Sequence, residues 1–110
     1  MSTTQDFVEH VSKQVDGAGR IRYRKMFGEY MVYVNDKPVL LVCDNTVYVK
    51  KLDILHEEMS GAEVGVPYTG AKEHYILDID DAERSRRVAV LLESVTAVPK
   101  KKVKPEVDRK

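Results

Sequence analysis

The chain has a single thiol, Cys43, which closes the apolar run Val39-Leu40-Leu41-Val42. A nucleophilic cysteine needs a partly exposed, electropositive setting that favours the thiolate. An apolar strand predicts a buried, inert thiol instead. Asp78, Asp80 and Asp81 offer the hard oxygen ligands that Mg²⁺ or Ca²⁺ would take. No calcium loop follows them, however, and Asp80-x-x-Glu83 ahead of an apolar-periodic stretch is the pattern of a helix start. There, acids accept from free amides and sit well against the helix dipole. His10, His56 and His74 include no pair at metal-ligand spacing. Gly70-Ala71-Lys72 lacks the rest of a phosphate loop and Gly17-Ala18-Gly19 lacks the third glycine of a dinucleotide fingerprint, so both read as turns. These residues assemble no catalytic, cofactor or metal site. The expectation is a protein that is not an enzyme and uses no cofactor.

The basic residues are more suggestive. Arg20, Arg22 and Arg24 alternate, and period 2 places them on one face of a strand, opposite Ile21, Tyr23 and Phe27. Such a ladder could meet phosphates or an acidic partner. It is also what the wet face of a half-buried antiparallel strand requires, and that reading is favoured. Tyr30 and Tyr33 could stack on bases, but aromatics are ordinary strand formers. The formal net charge is zero, yet residues 100–110 hold six basic and two acidic side chains, a local +4 against −4 for residues 1–99. Lys100, Lys101, Lys102 and Lys104 could each neutralise a phosphate and so make binding salt-dependent. A solvated tail is the commoner meaning of a short charge run.

The elements that must position these residues follow from periodicity. The 110 residues, 43% of them hydrophobic, suit one domain with a modest core. Thr3 or Thr4 can cap a first helix running to about Asp16, with Phe7, Val8, Val11 and Val15 on one stripe. Strands are expected over residues 20–27, 29–35, 39–43 and 46–50, separated by Gly28, by Asn35-Asp36-Lys37 and by Asp44-Asn45, which makes an antiparallel meander. Leu52, Leu55, His56 and Met59 predict a short amphipathic helix, followed by a loop over residues 61–72 and a fifth strand over 74–79. Val88, Leu91, Leu92 and Val95 line a last helix that begins near Asp81 and stops before Pro99. The fold class is α+β in two layers: an antiparallel sheet of about five strands with helices on one face, in the order α-β-β-β-β-α-β-α. The domain is expected over residues 1–99, with a basic, mobile tail over 100–110. One cysteine permits no internal disulfide, the N-terminus is not a signal peptide, and no apolar run nears the roughly 20 residues of a membrane span. A cytoplasmic location with no membrane partner is the default.

Residues 24–33, RKMFGEYMVY, are the most distinctive stretch. They resemble the Met-Phe-Gly-Gly-Tyr-like turn between two strands that marks the N-terminal domain of the TfoX/Sxy family of bacterial competence regulators. Residues 47–50, VYVK, resemble that family's apolar-Tyr-apolar-Lys strand, and residues 68–79, YTGAKEHYILDI, resemble the Gly-Ala-Lys-x-His-Tyr segment of its stand-alone members. The similarity covers about residues 5–98. Glu29 departs from it, standing where many members carry a second glycine. The resemblance implies a two-layer fold similar to that of secretion chaperones, with no known enzymatic chemistry. Two-domain relatives act with the cyclic-AMP receptor protein on DNA-uptake genes.

Function is therefore expected to be regulatory or adaptor-like, through contact with a protein partner such as the transcription machinery. The alternative is weak, sequence-independent nucleic-acid binding through the tail and the arginine strand. Candidate contact residues are Arg20, Arg22, Arg24, Lys25, Met26, Phe27 and Gly28, together with Lys100, Lys101, Lys102 and Lys104. Formation of a homodimer would cover sheet edges or an apolar face left open by so small a domain.

Overall fold

The computed structural model describes residues 3–26 and 29–98. Helix α1 (Gln5–Gln14) starts where the Thr4 hydroxyl accepts from the Phe7 N–H at 3.2 Å, and its apolar stripe buries Val8 and Val11, with Val15 just beyond. Four strands follow: β1 (Ile21–Met26), β2 (Glu29–Val34), β3 (Lys37–Cys43) and β4 (Thr46–Lys50). The β2–β3 and β3–β4 connections are two-residue turns. Asn35 and Asp36 have φ of 52° and 67°, and Asp44 and Asn45 have 53° and 55°. Both central residues of each turn are thus left-handed, the conformation that matches strand twist and that Asn and Asp adopt most cheaply after glycine.

Pro38 sits at a register shift: Val32 pairs with Leu40 but Tyr33 pairs with Pro38, so Val39 is an extra residue on β3. A bulge is one of the few places where a strand tolerates a residue without an N–H.

After β4 come a single 3-10 turn (Asp53–Leu55), the two-residue strand β5 (Val64–Gly65), β6 (His74–Leu77) and helix α2 (Ala82–Val95). All strand pairs are antiparallel, in the order β1-β2-β3-β4-β6-β5, so β1 and β5 are the edges. The α+β architecture agrees with the expectation from the sequence, with six strands instead of about five. The sixth, β5, falls in the segment expected to be loop, where two residues containing a glycine carry no periodicity. The expected helix over Leu52 to Met59 is only a 3-10 turn and looser turns. Its apolar residues Leu55 and Met59 do reach the core, but Leu52 provides no side-chain cap, and so short a segment cannot offset the cost of helix nucleation. The α2 cap is Asp81, whose carboxylate accepts from the Arg84 N–H at 3.1 Å, one residue later than the Asp80-x-x-Glu83 pattern placed it.

The core lies on one side of the sheet. Val32, Val34, Leu40, Val42, Val47, Val49 and Leu77 meet Val8, Val11 and Val15 of the α1 segment, Leu55 and Met59, and Val88, Ala89 and Leu92 of α2. Strand alternation then sends Arg22, Arg24, Met31, Tyr33, Leu41, Tyr48, Lys50, His74 and Ile76 to the opposite, open face. Lys37 ties the β2–β3 hairpin to α2: its ammonium donates to the Glu93 carboxylate at 3.0 Å and to the Glu93 carbonyl at 3.1 Å.

Gly19 has φ of 149°, and a Cβ there would lie 2.8 Å from both Val34 Cγ1 and Asn35 Nδ2, against the turn whose Asn35 carboxamide accepts from the Arg20 N–H. Gly70 has φ of 89° but nothing within 4 Å of its Cβ position. Gly19→Ala is therefore expected to cost about 2–4 kcal/mol of stability and Gly70→Ala about 1 kcal/mol. Urea unfolding of the two variants beside the wild type checks this; equal losses would show that crowding at the turn contributes nothing.

Candidate functional site

The arginine strand does not present a free basic ladder. Asp36, held by its left-handed turn at the end of β2, accepts from Arg20 at 2.7 Å and from Arg22 Nε at 3.1 Å. The Arg22 hydrogen bond and both guanidinium charges hold the Asp36 carboxyl below the usual carboxylate range. Arg22 also lies over the Tyr33 ring, 4.7 Å from its centroid. Tyr33 is thus beneath an arginine, while Tyr30 is buried and meets Tyr23 edge-on at 5.5 Å. Neither tyrosine offers an open stacking face. Arg24 and Lys25 are different. Both are exposed at the β1 edge, and among the described residues neither has a carboxylate within ion-pair distance. Phe27, Gly28, Lys100, Lys101, Lys102 and Lys104 lie outside the described residues.

Met26, at the end of β1, lines an apolar groove of 540 Å³ with Met31, Leu41, Cys43, Pro67 and Tyr68. The floor is the open sheet face, and one wall is the Pro67-Tyr68 loop that follows β5. This groove brings together two stretches that stood out in the sequence: residues 24–33 supply Met26 and Met31, and residues 68–79 supply Tyr68. Burial pushes the Cys43 thiol up to about 11, aided by the negative Glu29 and Asp44, so the thiol stays protonated at neutral pH. Cys43 is therefore the buried, inert residue its apolar strand predicts.

Glu29 closes one end of the groove, and its role could not be read from sequence. Its carboxylate accepts from the Thr3 hydroxyl at 2.6 Å, the Thr3 N–H at 3.1 Å and the Asp44 N–H at 3.0 Å. The Thr3 hydroxyl accepts in turn from the Asn45 N–H at 3.2 Å, and Asn45 Oδ1 accepts from the Thr4 N–H at 3.0 Å. One side chain thereby joins the start of α1, the start of β2 and the β3–β4 turn. Burial pushes the Glu29 carboxyl up, but the three hydrogen bonds outweigh it and leave the pKa below the ordinary value.

Beyond the groove, Lys50 and His74 face each other as cross-strand partners on β4 and β6. With Tyr68 and Lys72 they line a second cleft, whose existence depends on a β4–β6 register the sequence does not reveal. Among the described residues no group of three His, Cys, Asp or Glu side chains is placed to hold a metal ion. Asp80 instead meets His10 Nε2 at 3.0 Å, and Asp78 accepts from the Asp80 N–H. No helix among the described residues is long and apolar enough to cross a membrane.

The family model of the TfoX N-terminal domain matches residues 13–94, and the chain belongs to that family. It is 37% identical over 97 residues to an uncharacterized 12.7 kDa protein in the trpE 5' region of Spirochaeta aurantia, covering 88% of this chain and 84% of that one. The resemblance carried by residues 24–33, 47–50 and 68–79 is thus to the right family.

The three-way acceptor at Glu29 sets a pH dependence. Because its folded-state pKa is lowered, its stabilisation is fully present above the ordinary glutamate range and is lost as pH falls through the lower folded-state value. Glu29→Gln is expected to cost about 1–2 kcal/mol at pH 7 and much less at an acid pH below the lowered folded-state pKa, where the wild-type carboxyl is protonated. Denaturant melts of both proteins at the two pH values check this; a gap that stays constant with pH would exclude the carboxylate as its source.

Proposed function

We propose that this protein is a non-enzymatic regulatory adaptor that holds a segment of a partner protein in the groove between the end of β1 and the Pro67-Tyr68 loop. Membership in a family of regulatory domains supports the class of function. The observation that carries the mode of action is the apolar groove lined by Met26, Met31, Leu41 and Tyr68, with the exposed cation Arg24 on the same sheet face, paired with Met31 across β1 and β2. Methionines line adaptable protein-docking surfaces well because their unbranched side chains repack around different partners. Arg24 adds a positive charge beside the apolar lining, and the Glu29 carboxylate at the other end is already engaged by Thr3 and Asp44. The segment it fits has an apolar anchor for the methionines and an acidic residue beside it for Arg24. A component of the transcription machinery is the partner class that the family suggests.

Panning a random peptide library on the full chain tests the reading. Peptides with an apolar residue flanked by Asp or Glu are expected to be enriched. Met31→Glu, and separately Arg24→Glu, should each weaken the selected peptides about tenfold or more while leaving the protein folded. Enrichment of no peptide class, or of peptides indifferent to both variants, would sink the proposal.

A further inference from the structure

The cleft beside the docking groove has a different chemistry. It encloses 510 Å³, within the usual size of a small-molecule site, and is lined by Lys50, Lys51, Leu52, Tyr68, Lys72, Glu73 and His74. Its acid is already occupied: Glu73 pairs with Lys51 at 2.9 Å, and Lys51 is further held 5.6 Å from the centroid of the Tyr75 ring. Lys50 and Lys72 have no carboxylate within ion-pair distance among the described residues, so the cleft presents uncompensated positive charge. His74 is fixed between them. Its Nδ1 lies 2.8 Å from the Lys72 carbonyl, which can only accept, so Nδ1 carries the proton and the Nε2 lone pair is left to accept from a hydroxyl of a ligand. The His74 ring also stands edge-on to Tyr48 at 6.4 Å.

An adjoining hollow of 180 Å³ shares Lys50, Tyr68 and His74 with this cleft and adds Tyr48 over a floor that includes Met31 and Leu41. Cations at a rim beside a flat aromatic and apolar wall suit a ligand with a phosphate at one end and a planar ring at the other. Tyr68 is 62% exposed, which leaves its ring free to close on such a ring.

We propose that this cleft binds a phosphorylated nucleoside, with its phosphate at Lys50 and Lys72, a ribose hydroxyl donating to His74 Nε2, and its base against Tyr48 and Tyr68. The nucleotide could be free or one unit of a single strand, since both carry the same chemistry. The residues that line the cleft are not those of the arginine strand.

The test is an NMR titration of the ¹⁵N-labelled full chain with millimolar AMP, adenosine, inorganic phosphate, and a short single-stranded oligouridylate. The expected result is movement of the amides of Lys50 and residues 68–74, with AMP binding tighter than adenosine or phosphate. Tyr68→Ala and Lys72→Ala, both at exposed positions, should each weaken binding about tenfold. Replacing Lys100, Lys101, Lys102 and Lys104 together by alanine should leave AMP binding unchanged. AMP binding as well as or better than the oligonucleotide assigns a free nucleotide; movement of the same amides by the oligonucleotide more tightly, or alone, assigns a strand. The proposal is overturned if neither ligand moves these amides, or if the shifts survive both variants undiminished while the spectra show folded protein.

Discussion

Among the described residues, two helices and one 3-10 turn cannot cover both faces of a six-stranded sheet, and all three lie on the same face. This one-sidedness governs the rest of the molecule. The covered face is a run of valines and leucines locked against α1 and α2. The opposite face cannot become wholly polar, because Met31, Leu41, Tyr48 and Ile76 pack across neighbouring strands and leave each of them half-buried. The Pro67-Tyr68 loop shields part of that face without sealing it. The result is a pair of hollows with apolar floors. The edges are blunted in two ways that prevent indiscriminate strand pairing: β1 carries Arg22, Arg24 and Lys25, and β5 is only two residues long and followed closely by Pro67.

Much of this architecture was legible in the sequence because it depends on local pattern. The meander was written in alternating Val and Tyr with Asn-Asp and Asp-Asn turns, and both long helices announced themselves by an apolar stripe and a capping residue. What could not be read was set by contacts between distant segments. The pairing of β5 with β6 involves two residues, too few for any periodicity. Leu55 and Met59 are anchored by the core as a helix would anchor them, yet the backbone between them is too short to be one. The candidate site divides along the same line. Residues 24–33 stood out as a motif, but the groove exists only because Pro67 and Tyr68 come to lie beside Met26 and Met31. The cross-strand match of Lys50 with His74 is a fact of register alone.

Counting basic residues along the chain also gives the wrong weight to each of them. Arg20 and Arg22 look like the strongest polyanion contacts in the sequence, yet the Asp36 turn brings a carboxylate to both. Glu58 engages Arg84 and Arg87 in the same way, and Glu73 engages Lys51. Folding thus decides which cations are spent on structure. Lys13, Arg24, Lys25, Lys50, Lys72 and Arg86 are left over among the described residues, and of these Arg24, Lys50 and Lys72 lie on the open face or its cleft instead of on one strand.

Glu29 illustrates how a departure from a family pattern can be a gain and not a defect. A second glycine at this position would free the backbone at the β1–β2 connection. Glutamate gives up that freedom and supplies a carboxylate where three donors converge, from Thr3 and from Asp44. Those donors belong to the segment just before α1 and to the first residue of the β3–β4 turn, so the interaction fixes the end of the sheet that carries the groove of Met26, Met31 and Tyr68. The groove's shape then rests on a carboxylate that the glycine-bearing pattern lacks. Members with glycine at this position would have to hold the start of α1 against the β3–β4 turn by other means, or present a looser groove. The same surface can in this way be rigid in one member and adaptable in another, without any change in the residues that line it.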